Sequence, residues 1–274
     1  MTEVRRILVK YGGAAIAEPE LRRRLMADLL PLHRAGHRLV VVHGGGPQMT
    51  AVAKQMGIEP IFRGGRRVTD AAMLSVVQMV LAGRVNTDLM ASALAVGLPA
   101  LATCAASAGF VTAVKRPPRV VPGWPEPVDF GLVADIERVN PAPLEALWSA
   151  GLVPMMSSLV ADADGQLLNL NADTLVRSIA LAVPLTDLVY VADVPGVFGD
   201  LNDPASHLPK IAADEIGGLI ASGSVKGGMI AKLDEIGQVV RATGLTAWIV
   251  GRDQPAPVSS VVSNGPGLRT AVDA

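Results

Sequence analysis

The chain has 274 residues, half of them hydrophobic and only 3% aromatic, with a formal net charge of −1. That length suits one large or two modest domains with a Val/Leu/Ile core, and the near-neutral charge gives no support for a nucleic-acid surface. A single cysteine, Cys104, excludes an intramolecular disulfide and a cysteine-based zinc site; no apolar run reaches the length of a membrane span and no signal peptide is visible, so the expectation is a cytoplasmic protein.

The first predicted element is a short apolar strand, Arg6-Ile7-Leu8-Val9, running into Lys10, Tyr11, Gly12 and Gly13. Residues 18–35 have helical periodicity, with Leu21, Leu25, Leu29 and Leu32 on one side, and Gly36 ends the helix. A second strand, Leu39-Val40-Val41-Val42, leads into His43-Gly44-Gly45-Gly46-Pro47, and helical spacing resumes at Gln48, Met49, Val52, Ala53 and Met56. Strand, glycine turn and helix make an anion site: glycine lets backbone approach a ligand closely, and a helix start presents free N–H groups.

Residues 60–70 form a glycine- and arginine-rich loop ending in Thr69, an expected N-cap for a helix over 71–94 with Met73, Val76, Val77, Val80 and Leu81 on one stripe. Further on, the pattern predicts a strand at 98–103 and a loop or edge hairpin at 115–131, which holds five prolines. A helix at 141–149, a strand at 153–159 and a hairpin turn at 162–165 follow. The remaining expectations are helices at 173–182, 213–222 and 229–243, and strands at 187–193 and 247–250. Strands alternating with helices imply an α/β fold whose parallel sheet binds ligands at its carboxyl edge.

Four polar clusters fall at such edges: Lys10 with Gly12 and Gly13; Gly44 to Gly46; Asn169, Asn171 and Asp173; and Gly228 with Lys232. Two lysines, a carboxylate and two glycine loops suit phosphoryl transfer, which needs in-line positioning and neutralised charge more than covalent help. Asp173 is placed to orient both lysines. The Walker pattern and the H-R-D loop are absent, and Asn169-x-Asn171-x-Asp173 lacks the rest of a calcium loop. His43 reads as a hydrogen-bonded structural residue at a buried strand end.

Taken in order, six segments resemble the amino acid kinase family: Val9 to Gly13, Val42 to Gln48, Gly65 to Asp70, Asn169 to Asp173, Asp193 to Val197 and Gly228 to Lys232. Each is weak by itself; their shared order is specific. The resemblance is to the branch that phosphorylates N-acetyl-L-glutamate on its side-chain carboxylate with ATP, the second step of arginine synthesis. It implies a three-layer αβα sandwich around a mainly parallel eight-stranded open sheet. Residues 1–183 would form the amino-acid lobe, which also dimerises, and 184–274 the ATP lobe. By the same resemblance Lys10 and Lys232 stabilise the transition state and Asp173 organises them. Gly45, Gly46, Arg67 and Asn169 match substrate positions. Gly12, Gly13, Asp193, Val194, Pro195, Gly196, Val197, Phe198, Ser224, Val225, Lys226 and Gly228 match nucleotide positions. Mg2+ would arrive with ATP, and no metal site of the protein's own is implied.

The chain departs from the family's pattern at Arg66, at residues 103–109, at Val160 and at Lys226. Two other readings are a kinase for aminoadipate on an amino-group carrier protein and a non-catalytic regulator of the same fold. Retention of Gly46-Pro47-Gln48 and Asn169-Leu170-Asn171 argues against the first, and of Lys10, Asp173 and Lys232 together against the second. The long apolar stripe of the 71–94 helix predicts a two-fold homodimer, and the few residues before Lys10 predict a chain that arginine does not inhibit.

Overall fold

A computed structural model describes residues 3–200, 203–225 and 228–274. Its centre is an eight-stranded sheet: β1 (Arg6–Tyr11), β2 (Arg38–His43), β3 (Ala100–Cys104), β4 (Val153–Ser157), β5 (Asp187–Ala192), β6 (Lys210–Ala212), β7 (Ala247–Gly251) and β8 (Arg269–Asp273), in the order β6-β8-β7-β5-β1-β2-β4-β3. Only β7 and β8 run antiparallel; the other pairings are parallel. The central strands read as unbroken apolar runs because both faces are covered. Successive residues of β1 show this directly. Leu8 packs into one core, with Tyr190, Leu175 and Leu233. Ile7, Val9 and Tyr11 pack into the other, with Leu25, Leu29 and Leu81. Helices on both sides complete a three-layer αβα sandwich, as expected from the sequence.

Helix α1 (Pro19–Arg34) and α2 (Gly46–Gln55) cover the second core, with a long helix, α3 (71–94). The first core is covered by α4 (Ala142–Ser149), α5 (Ala172–Ala182) and α7 (Gly228–Thr243), with the short α6 (Ile216–Ala221) beside them. A four-stranded sheet of Val111–Lys115, Ala134–Val139, Leu159–Ala161 and Leu167–Asn169 lies over the carboxyl edge. The expected turn at 162–165 joins the last two of these strands.

Three details differ from the sequence reading. The cap of α3 is Asp70, whose side chain accepts from Met73 N, while Thr69 is fully buried and serves elsewhere. Helix α3 is not uniform: Val77–Val85 is π-helical between the α-helical Ala71–Val76 and Asn86–Leu94. Its apolar stripe is also consumed internally, since Met73, Val76, Val77, Val80 and Leu81 are all within the chain's own core. Strands β6 and β8 had no counterpart in the expectations; β6, three residues long, is the edge strand and β8 lies between it and β7.

Candidate active site

Strands β1 and β2 are neighbours in register, so Lys10 lies beside Val42 and Tyr11 beside His43, and their glycine turns leave the same edge. The turns touch. Gly44 N donates to Tyr11 O at 3.0 Å, and the Gln48 side-chain amide donates to Gly13 O at 2.7 Å. A Cβ on Gly13 would lie 3.0 Å from the Gly45 Cα, and one on Gly45 would lie 2.9 Å from Leu81 Cδ1. A side chain at 13 would press the two loops apart, and one at 45 would displace the Leu81 side chain. Gly46 opens α2, so its free N–H end faces the gap.

Lys10 is only 7% exposed, and its Nζ lies 2.7 Å from Asp173 Oδ1. Asp173 stands in the first turn of α5, where Asn171 is the N-cap: its side-chain oxygen accepts from Asp173 N at 2.7 Å. The helix start favours the carboxylate there. Lys232, on α7, lies near enough for the charges of Lys10 and Asp173 to act on it. Burial and the charge of Lys10 hold its ammonium below the ordinary lysine range, while Asp173 and Asp193 pull it back up. The structure thus brings the two lysines and Asp173 together.

Around them is a cavity of about 260 Å3 lined by both glycine turns, Arg67, Asn169 and Asp173. Arg67 is fixed by hydrogen bonds from Nη2 to Thr50 Oγ1, 2.8 Å, and Gly46 O, 3.2 Å, and lies over the Phe62 ring. Burial lowers its pKa, and a guanidinium stays cationic nonetheless. Asn169 Nδ2 donates to Thr69 Oγ1 at 3.0 Å, so the buried threonine orients the amide. The cavity wall therefore carries a fork-shaped cation, Arg67, and the Lys10 ammonium paired with Asp173. It suits a small molecule with an anionic group at each end.

The stretch expected to meet the nucleotide begins where β5 ends. Asp193, Val194, Pro195 and Gly196 form a bend, and Val197–Phe198 pairs with His207–Leu208. Asp193 is exposed and lies 3.3 Å from Arg252 Nη1. The bend packs tightly: a Cβ on Gly196 would lie 2.7 Å from His207 Nε2, and one on Gly251 would lie 2.7 Å from Pro195 Cα. Gly12 N reaches Val191 O at 3.4 Å, which joins the first glycine turn to this edge. Ser224 bonds Ser222, Val225 is buried, and Gly228 is the first residue of α7. Lys226 lies outside the described residues.

His43 is fully buried with Nδ1 3.0 Å from Gly44 O, and burial pushes its pKa down, against the pull of Gly44 O and the Asn86 side chain. A neutral, enclosed ring fits its structural reading. Sequence reasoning gave no role to Gln48 or Thr50, polar residues one helical turn into α2, or to Tyr190. Tyr190 pairs in register with Lys10, is 1% exposed, and its hydroxyl has no hydrogen-bond partner among the described residues. Burial, then Asp173 and Glu235, raise its pKa well above the ordinary value, so it stays neutral. The signal for it was a lone aromatic in an aliphatic strand.

Among the described residues no three His, Cys, Asp or Glu side chains converge as a metal set, and no helix is long and apolar enough to cross a membrane. An acetylglutamate kinase of Sorangium cellulosum (strain So ce56) is 42% identical over 97% of this chain and 94% of its own length. One from Anaeromyxobacter dehalogenans (strain 2CP-C) is 41% identical over 93% of this chain and 95% of its own. The fold is shared with carbamate kinase from Giardia lamblia bound to AMP-PNP, with a TM-score of 0.68 at 16% identity and both chains covered completely. The sequence profile of the amino acid kinase family matches residues 5–251, and the chain belongs to that family.

Proposed function

We propose that the chain transfers the γ-phosphoryl group of ATP to the side-chain carboxylate of N-acetyl-L-glutamate, as in arginine synthesis. The observation that carries this reading is the Lys10–Asp173 pair, which lines one cavity with the two glycine turns, Arg67 and Asn169, with Lys232 near enough for both charges to act on it. Relatives at about this identity named acetylglutamate kinase support it, and favour it over carrier-bound aminoadipate or a non-catalytic role.

In the reaction a carboxylate oxygen bonds to the γ-phosphorus as the bond to the β–γ bridging oxygen breaks, leaving an acyl phosphate and ADP. Arg67 grips the α-carboxylate in its planar fork and Asn169 hydrogen-bonds the substrate. Lys10 and Lys232 offset charge on the transferred group, and Asp173 holds the ammonium groups in place and limits their repulsion. The N–H groups of the glycine turns receive phosphate oxygens, and the bend from Asp193 to Phe198, with Ser224 to Gly228, holds the nucleotide. Asp173 is the one acid lining the cavity among the described residues, and Lys10 engages it. The divalent ion carried by ATP, which we take as Mg2+, would keep to phosphate oxygens and water, neutralising their charge.

On this reading residues 1–183 are the amino-acid lobe and 184–274 the ATP lobe. The enzyme works in the cytoplasm as a homodimer through α3 and the edge strand β3, where Met79, Leu94 and Leu101 remain exposed. Light scattering reads the dimer. The activity is tested by ADP release with acetylglutamate and ATP, trapping the acyl phosphate with hydroxylamine. ADP release that does not depend on acetylglutamate would overturn the reading.

A further inference from the structure

A second cavity, about 690 Å3, adjoins the first, and residues Arg66, Arg116 and Phe130 line both. Phe130 and Arg116 are 2% and 6% exposed, so they form a packed partition with Arg66 at its exposed rim. Five arginines line the second cavity, against three acids. The chain as a whole carries a net charge of −1, so this excess is local.

The pairing leaves cations over. Asp135 spends both oxygens, on Arg116 Nε and Arg119 Nη2, each at 2.8 Å. Arg177 has only a loose partner, Glu235 at 3.7 Å, and its Nη1 donates to Gln238. Arg63 stacks over Trp124 and donates to Phe62 O; neither it nor Arg66 has an acid within ion-pair distance among the described residues. Arg63 and Arg66 sit on the turn whose next residue, Arg67, faces the substrate cavity.

We infer that this cavity is an anteroom for the dianionic amino-acid substrate, where Arg63 and Arg66 capture its carboxylates before they reach Arg67. Unpaired guanidinium groups in a concave wall focus field and raise the arrival rate of anions. Their contribution is to encounter, not to the transfer step. The inference rests on the proposed function, because it needs a substrate with two carboxylates.

The test is the Arg63→Gln variant, with Arg63→Glu and Arg63→Lys, assayed at low and at near-physiological salt. Arg63 lines the second cavity and not the first, is partly exposed and has no ion-pair partner among the described residues, so its replacement should leave the fold intact, which an unchanged urea midpoint checks. At low salt kcat/KM for acetylglutamate should fall about fivefold in Arg63→Gln, further in Arg63→Glu, and recover in Arg63→Lys. The differences should shrink as salt is added. Saturating kcat and KM for ATP should hold. Equal kcat/KM in all four proteins, or a loss that does not depend on salt, would overturn the inference. If the parent does not phosphorylate acetylglutamate, it is the proposed function that fails.

Discussion

Asp173→Asn is the most informative single change, because one carboxylate serves two lysines. At the 2.7 Å separation from Lys10, an effective dielectric near 20 gives a gross attraction of about 6 kcal/mol. Desolvation offsets part of that, and removing one partner of such a buried pair costs about 3–5 kcal/mol. If the loss falls on the transition state, kcat drops by about 10² to 10⁴ with little change in KM for acetylglutamate. The same change moves the pH profile in a fixed direction. Lys232 acts as an ammonium, and its pKa is already lowered, chiefly by burial and then by Lys10. The alkaline limb of kcat/KM for ATP, which reports the free enzyme, should therefore lie below the ordinary lysine value of about 10.4. Asp173 raises the Lys232 pKa, so in the Asn variant that limb moves to still lower pH. A coupled assay of ADP release across pH measures both effects. A kcat within about threefold of the parent, with an unmoved alkaline limb, would refute the reasoning.

Three further outcomes follow from the same geometry. Lys232→Ala should lower kcat by about 10³ while both KM values stay near the parent's, since its charge acts on the transferring group; steady-state kinetics with both substrates varied decides this, and a near-normal kcat refutes it. Arg67→Lys keeps the charge but loses the fork fixed by Thr50 and Gly46, so KM for acetylglutamate should rise about tenfold with KM for ATP unchanged; the reverse pattern would assign this arginine to the nucleotide. Gly131 has φ +73° and its added Cβ would press on the Thr69 carbonyl, so Gly131→Ala should cost about 1–3 kcal/mol in urea unfolding; an unchanged midpoint would show that the backbone there yields.

The sequence made local chemistry legible. Apolar runs ending in glycine placed β1 and β2, and the polar clusters at their ends proved to face one cavity. Lys10, Asp173 and Lys232 lie far apart in the chain, yet Lys10 and Asp173 stand at element ends and Lys232 one turn into α7, where the α/β pattern converges. What could not be read was set by long-range packing. Thr69 looked like a cap by spacing, but its hydroxyl is taken by Asn169, 100 residues away, and the cap falls to Asp70. Tyr190 matters only because the register of β1 and β5 sets it beside Lys10. Arg63 and Arg66 read only as part of a glycine- and arginine-rich loop; that they lack an acid partner follows from Asp135 being spent on Arg116 and Arg119.

The π-helical stretch is the clearest case, and it changes how the glycine turns are understood. With i→i+5 bonding over Val77–Val85 the helix is wider. Leu81 reaches the glycine turn, and Asn86, at the start of the next segment, donates to Thr103 O of β3 at 2.6 Å. Leu81 Cδ1 occupies the space that a Cβ on Gly45 would need. Gly45 has φ −173°, a conformation open to any residue, so its backbone does not require glycine. The space a side chain at 45 would need is taken on one side by Leu81 of α3, and on the proposed function the N–H face of the turn must stay bare for phosphate and substrate atoms. Gly13 meets the same double demand, with Gly45 itself as the neighbour that leaves no room. The glycines that read as a ligand motif are equally the joints by which the two turns and α3 pack.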